Sequence, residues 1–311
     1  MRITNGMIMN NFLGNINRNM SLMDTYQNQL ATGRRITRLS DDPMGIMSVL
    51  DAKSKLRKLD MHNSSIGEAK SWLKQTETAL TEINNVVVKL YETANSAVNG
   101  TMTEADRENV SELVTQLRGH IVQLGNSTYG GRYIFGGYNT TTRPFTYDAG
   151  TGALLYNGVD LTTADSTTVD ALKAQVIEYS TGVNVTTGVS LTGVELMGSG
   201  DNNLDKILGD FMTALDASDA DALETVMGQL QGKQQEVLSM LADIGGRANR
   251  LDMMSSANED NELNYTEMLS NVEDVDQVEA TMGYKMAEAV YRSALAVGAR
   301  VITPTLLDFL R

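Results

Sequence analysis

Cysteine is missing from this chain altogether. That absence excludes disulfides, thiolate–metal sites and cysteine nucleophiles, and it fits an exported protein as well as a cytosolic one. Proline is almost missing too: the 311 residues hold three, and each stands at a boundary. Asp42-Pro43 reads as a helix N-cap followed by proline at the first helical position. Pro144 follows a threonine-rich loop, and Thr303-Pro304 precedes a short apolar tail. Aromatics are only 5% of the chain, with Trp72 the single tryptophan, so apolar bulk falls to aliphatic residues and 18 methionines. Such material suits helix packing better than a deep ligand pocket. No run of 18 apolar residues occurs, so no membrane span is expected. Residues 1–20 show neither an apolar h-region nor a small-residue cleavage site, which argues against a conventional cleaved signal.

Positive charge is the scarcer sign, 25 Lys and Arg against 39 Asp and Glu, and it is unevenly placed. Residues 1–74 carry 11 basic and 6 acidic side chains, whereas residues 201–279 carry 4 and 18. The overall acidity argues against nucleic acid as a partner, because neutralising phosphates takes clustered Lys and Arg, and Arg34-Arg35-x-x-Arg38 is too short a run to reverse that.

What the chain does have is helical period. Met9, Leu13, Ile16, Met20, Met23 and Leu30, with Gln27 in the open position, alternate in steps of four and three, the seam of a coiled coil. Residues 44–98 repeat it through Leu73, Leu80, Ile83, Val87, Leu90, Ala94 and Ala97, and Val110 to Leu124 mark a third helix. Leu223, Met227, Leu230, Gln234, Val237, Leu241, Ile244, Ala248 and Leu251 mark a fourth. A helix over 220–270 would run ~75 Å, a length for a rod. The last stripe is Met282, Met286, Val290, Ala294, Val297 and Val301.

Between about 125 and 200 the pattern breaks. That stretch holds 13 of the 27 glycines and few charges. Asn157-Gly158, between Leu154–Tyr156 and Val159–Leu161, is a strong hairpin signal. Gln175–Tyr179, Val183–Thr186 and Val189–Leu191 read as further strands.

The expected fold is therefore mainly α: an elongated rod of long coiled-coil helices with the N- and C-terminal segments together, plus a small β-rich insert. Its divisions are 1–42 with 275–311 as terminal assembly segments that order only on association, 43–130 with 201–274 as the long-helix domain, and 131–200 as the insert.

Catalytic constellations are thin. His62 and His120 come without an H-E-x-x-H or G-x-S-x-G context. The acidic run Glu259, Asp260, Glu262, Glu267, Glu273, Asp274, Asp276 and Glu279 lacks the glycine and ligand spacing of an EF-hand and reads as solvated helix charge. Gly130-Gly131 and Gly198-x-Gly200 lack the lysine of a phosphate loop and read as turns. No catalytic residue, cofactor or metal is assigned.

Leu30-Ala31-Thr32-Gly33-Arg34-Arg35-Ile36 with Asp41-Asp42-Pro43-x-Gly45 resembles a pattern of the bacterial flagellin family. Ile244-Gly245-Gly246-Arg247-Ala248-Asn249-Arg250-Leu251 is similar to a second, and Leu306-Leu307-Asp308-Phe309-Leu310-Arg311 to its closing leucine run. Tyr133 and Phe135, within Gly131–Gly137 and followed by Pro144-Phe145, resemble the member that joins hook to filament. The resemblance implies an extracellular structural component of the flagellum. It would adapt another hook-associated protein to flagellin, self-associate in an axial ring, and leave the cell by type III export with a chaperone. It also implies that Leu13, Ile16, Met20, Met23 and Leu30 pack with Met282, Met286, Val290, Val297, Leu306, Leu307 and Leu310 in the assembled tube. Asp42 and Pro43 would start the first long helix, and Arg34, Arg35 and Arg247 would meet acidic neighbours. A filament-forming minor flagellin is the near alternative, and a coiled-coil adhesin or binding module the more distant one.

Overall fold

The computed structural model describes residues 5–98, 102–148, 150 and 152–301. The chain is mainly α, in the order α1 (Asn5–Thr32), α2 (Pro43–Val98), α3 (Glu104–Gly125), β1 (Thr128–Tyr129), β2 (Arg132–Tyr133), β3 (Phe145–Tyr147), β4 (Leu154–Tyr156), β5 (Val159–Asp160), α4 (Ser166–Lys173), β6 (Glu178–Gly182), β7 (Val185–Gly188), α5 (Gly193–Met197), α6 (Leu204–Ala217), α7 (Ala220–Glu273) and α8 (Gln277–Val301). It forms two compact units, residues 59–258 and the two flanking segments 1–58 with 259–311.

In the 59–258 unit the long helices keep their heptads. Ile66, Ala69, Leu73, Leu80, Ile83, Val87, Leu90 and Ala94 of α2 are buried, as are Leu223, Leu230, Val237, Ile244 and Leu251 of α7. One seam position differs from the sequence pattern: Lys233, not Gln234, is the more buried residue. Its ammonium is tied to the Glu236 carboxylate at 2.7 Å, and burial pushes its pKa down. Thr76 sits in the same core because its hydroxyl donates to the Trp72 carbonyl at 3.0 Å, which removes the cost of burying it.

The β-rich stretch is not a separate module. Its buried side chains Ile134, Phe135, Phe145 and Tyr156 belong to the same core as the helices. The Asn126 side chain, just past α3, both donates to and accepts from the Phe145 backbone at 3.0 Å. Tyr156 stacks at 5.2 Å on Phe145 and donates its hydroxyl to the Phe135 carbonyl. From α3, Arg118 reaches Asp205 of α6 through two bonds of 2.5 and 2.7 Å.

Three small antiparallel sheets form, β1-β2, β3-β4-β5 and β6-β7. The β4-β5 turn is Asn157-Gly158, both at positive φ (50° and 83°), as a type I′ hairpin needs. The second hairpin runs two to three residues later than the sequence suggests, and Val189–Leu191 is not a strand. There Ser190 Oγ accepts from the Ile177 amide at 2.7 Å, so a side chain takes the place of a ladder partner. Helices α4, α5 and α6 are additional to the sequence reading. Capping residues announce two of them: Thr192 accepts from the Glu195 amide, and Asn203 from Asp205 and Lys206.

Candidate assembly interface

In the unit of residues 1–58 and 259–311, the ends of four helices meet at the Gly33–Gly45 motif. Gly33 closes α1 in the left-handed region (φ 71°), its amide donating to the Gln29 carbonyl at 2.8 Å, a glycine C-cap. The Gly33 carbonyl then accepts from Val275, and the Arg35 amide donates to the Glu273 carbonyl. The N-terminal turn is thereby stitched to the turn between α7 and α8. Glu273 is the hub. Its side chain is buried, and one carboxylate oxygen takes Lys53 of α2 at 2.7 Å and Arg34 at 3.0 Å. The Arg35 guanidinium donates to the Val272 carbonyl at 2.9 Å and lies 3.7 Å from Asp42.

Two aspartates fix the next turn. Asp41 accepts from the Arg38 and Thr37 amides, and these bonds, Arg38's first, hold its carboxyl below the ordinary range. Asp42 accepts from Met44 and Gly45 and so caps α2 ahead of Pro43. Gly45 is required by contact: a Cβ there would lie 2.6 Å from both Asp42 Oδ2 and Ile36 Cδ1. Ile36 is buried, and it fills the space beside the cap. A polar cleft of about 300 Å³ opens beside this turn, lined by Asp24, Asn28, Arg35, Arg38, Asp41 and Asp42 among others.

Helices α1 and α8 pack antiparallel. The residues of α1 turned inward are Phe12, Ile16, Asn19, Met23, Tyr26 and Leu30, and opposite them stand Ala280, Gly283, Ala287 and Gly298. A Cβ at Gly283 would meet Tyr26 at 2.6 Å, and one at Gly298 would collide with Phe12. Aromatic rings of α1 therefore seat over gaps in α8. Within the structure α1 and α8 of the terminal segments are paired helices, and their seam is a large-on-small fit.

That seam differs from the stripes read in the sequence. Ile16, Met23 and Leu30 do face α8, but Met9, Leu13 and Met20 lie about a quarter turn away at ~100° per residue, and they are exposed. On α8, Met282, Met286, Val290 and Val297 sit a similar quarter turn from the small-residue seam and are 47–69% exposed. The seven side chains thus form two unburied apolar flanks. Leu306, Leu307 and Leu310 lie outside the described residues.

The other motif residues fall elsewhere. Arg247 of α7 donates to the Gly188 carbonyl at 2.9 Å and pairs with Asp243 at 2.7 Å, pinning the β6-β7 hairpin. Asn249 and Arg250 are exposed, while Tyr133 is half-buried and Phe135 fully buried. His62 is buried on α2 with Nδ1 unpaired, and His120 is exposed on α3. Among the described residues no group of three His, Cys, Asp or Glu is placed to hold a metal ion. No described helix is long and apolar enough to cross a membrane. The hub at Glu273 and the seam glycines were not picked out as interacting groups from sequence. Their signal was present in the Arg34-Arg35 pair followed by a capping aspartate, and in the seven-residue spacing of Ala280, Ala287 and Ala294.

Residues 3–140 match the bacterial flagellin N-terminal helical region. Flagellar hook-associated protein 3 of Escherichia coli (strain K12) is 27% identical over 286 residues, covering 86% of this chain and 87% of that protein. The protein of the same name from Salmonella typhimurium (strain LT2) is 25% identical over 311 residues, covering 94% and 95%. The solved structure of the flagellar junction protein FlgL from Legionella pneumophila superposes with a TM-score of 0.58 at 15% identity, over 73% of this chain and 100% of that one. The helix-closing Gly33, the capping Asp42 and the contact-limited Gly45 all lie inside the segment that matches the bacterial flagellin N-terminal helical region.

Proposed function

We propose that this chain is a structural axial component of the bacterial flagellum, an adaptor between a hook-associated protein on the hook side and flagellin on the filament side. Its work is mechanical rather than catalytic. The observation that carries the reading is the pair of exposed apolar flanks on α1 and α8, beside a seam that is already closed. A chain that needed those helices only for its own fold would gain by pointing Met282, Met286, Val290 and Val297 inward. Burying seven half-exposed side chains yields on the order of 5–10 kcal/mol, comparable with the roughly 4–15 kcal/mol that docking costs. One neighbour is then marginal, and neighbours on two sides hold the subunit, which favours a closed axial ring of copies. Export through the flagellar type III apparatus, with a chaperone covering the flanks and without a cleaved signal, completes the reading.

The test is deletion of the gene followed by electron microscopy. Hooks without filaments, with flagellin monomer shed into the medium, are expected. Full-length filaments on the deletion strain would overturn the assignment.

A further inference from the structure

We propose that the exposed methionines of α1 and α8 are an oxidation site through which peroxide controls incorporation of the subunit. The inference rests on the adaptor reading and names a regulation of the same face. Most of the apolar area on the two flanks is thioether: Met9 and Met20 on α1, Met282 and Met286 on α8, all between 41% and 69% exposed. Met282 and Met286 stand one helical turn apart, so their side chains are neighbours on the surface. Methionine is exposed at other places as well, at Met7 of α1, Met44, Met47 and Met61 of α2, and Met253 and Met268 of α7, while two others are covered. Met197 of α5 is 1% exposed in the common core, and Met23 of the α1 seam is half covered by α8. A purely packing role would be served as well by leucine, which is the better-specified core residue. Methionine adds flexibility and a sulfur open to attack.

The step is an oxygen transfer. A lone pair on the thioether sulfur attacks one oxygen of hydrogen peroxide, and the O–O bond breaks. Sulfur is oxidised to the sulfoxide as the transferred oxygen gives up its proton, and the hydroxide left behind takes up a proton and departs as water. The new S=O dipole is a strong acceptor on a stripe whose neighbours are Leu13, Val290 and Val297, none of which donates. Burying it against another subunit leaves it unpaired, and that cost is set against a docking balance already close to even. Oxidation therefore acts on the free subunit, whereas a seated subunit has its sulfurs covered. Reversal calls for an enzyme of the methionine sulfoxide reductase class.

The experiment uses purified full-length chain and hooks isolated from cells lacking it, with co-sedimentation as the readout before and after dilute hydrogen peroxide. Peptide mass mapping follows each sulfur. Sulfoxide is expected at the four flank methionines and not at Met197, with co-sedimentation falling by at least about tenfold. The same oxidised-to-unoxidised ratio is then taken for a chain carrying M9L, M20L, M282L and M286L, and it is expected to stay near one. If oxidised wild-type chain sediments as well as untreated chain, the inference is overturned while the adaptor reading stands. It is overturned equally if the four-leucine chain loses as much as wild type, or if Met197 oxidises as fast as the flanks. Untreated chain that fails to sediment with hooks would count against the adaptor reading itself, and the inference would go with it.

Discussion

Substituting Gly45 by alanine sets helix propensity directly against packing. On propensity alone the change helps, because glycine within a helix costs roughly 0.5–1 kcal/mol relative to alanine. At this position the added Cβ would sit 2.6 Å from Ile36 Cδ1 and 2.6 Å from Asp42 Oδ2, where carbon contacts settle at about 3.5–4.0 Å. Neither neighbour can retreat freely. Ile36 is 2% exposed, so displacing it opens a void. Asp42 is the cap of α2, so moving it gives up about 0.5–2 kcal/mol, on top of an overpacking cost of about 1–3 kcal/mol. The net expectation is a loss of about 1–3 kcal/mol, confined to the start of α2. Gly67 on the same helix is the control, since a Cβ there meets nothing within 4 Å. Gly67→Ala is expected to gain up to about 1 kcal/mol. Native-state hydrogen exchange on the full chain reads both, through the amides of 43–58 for one and those around residue 67 for the other. Equal protection of residues 43–58 in wild type and G45A would refute the contact argument.

Three further outcomes follow from the same geometry. Glu273→Ala should destabilise the unit of residues 1–58 and 259–311 by about 1–2 kcal/mol, because it strands Lys53, whereas Arg34→Ala should cost under about 0.5 kcal/mol, Arg34 being half solvated; urea unfolding of the two variants would separate them. The Asp41, Asp106 and Asp160 carboxyls are held below the ordinary value of 3.8 by amide and hydroxyl donors, so their contribution is complete above that value and is lost as pH falls through the lower folded values. Exchange at 37–42 and at the α3 start should therefore rise on acidification below about pH 4, and Asp41→Ala should remove that pH dependence in the 37–42 loop. Arg247→Lys should raise exchange in residues 178–188 about tenfold without unfolding the helices, since a lysine cannot serve Gly188 and Asp243 together; unchanged exchange there would show that the hairpin is held by other contacts.

Much of this architecture was legible in the sequence because helical period is a strong signal over long spans. The heptads of α2 and α7 placed Leu73, Leu80, Ile83, Val87 and Leu90 correctly, and Asn157-Gly158 placed its turn to the residue. Legibility failed where size mattered more than polarity. Reading for bulky apolar residues chose Leu13 and Met20 on α1, while the seam uses Phe12, Asn19 and Tyr26, one position earlier. On α8 the same habit chose Met282 and Met286 over Ala280, Gly283 and Ala287. A glycine is silent in a hydrophobicity pattern, yet here it is the receiving half of the contact. Lys233 escaped for a related reason: its charge argues for solvent until the carboxylate of Glu236, three residues on, is considered with it. The hub at Glu273 was legible on one side only: Arg34-Arg35 before a capping aspartate signals a polar junction, but the carboxylate that receives Arg34 and Lys53 lies more than two hundred residues away in sequence.

The displaced seam bears on how a subunit can be both foldable and ready to polymerise. If the bulky stripes of α1 and α8 packed on each other, the pair would be more stable alone and would have little apolar surface to offer. Small residues at Ala280, Gly283, Ala287 and Gly298 let the two helices approach closely with modest buried area, which keeps the pair marginal and leaves the methionines, leucine and valines outside. The hydrogen-bonded cluster around Glu273 then supplies what the thin seam lacks. It fixes where α1 ends and α8 starts, through backbone bonds from Arg35 and Val275 that do not depend on apolar area. Registration is thus separated from adhesion: polar contacts set the geometry of the helix pair, and the exposed flanks remain available for neighbours. A substitution in the cluster should accordingly misplace the flanks without changing their hydrophobicity, whereas a substitution on the flanks should weaken docking and leave the fold of the single chain intact.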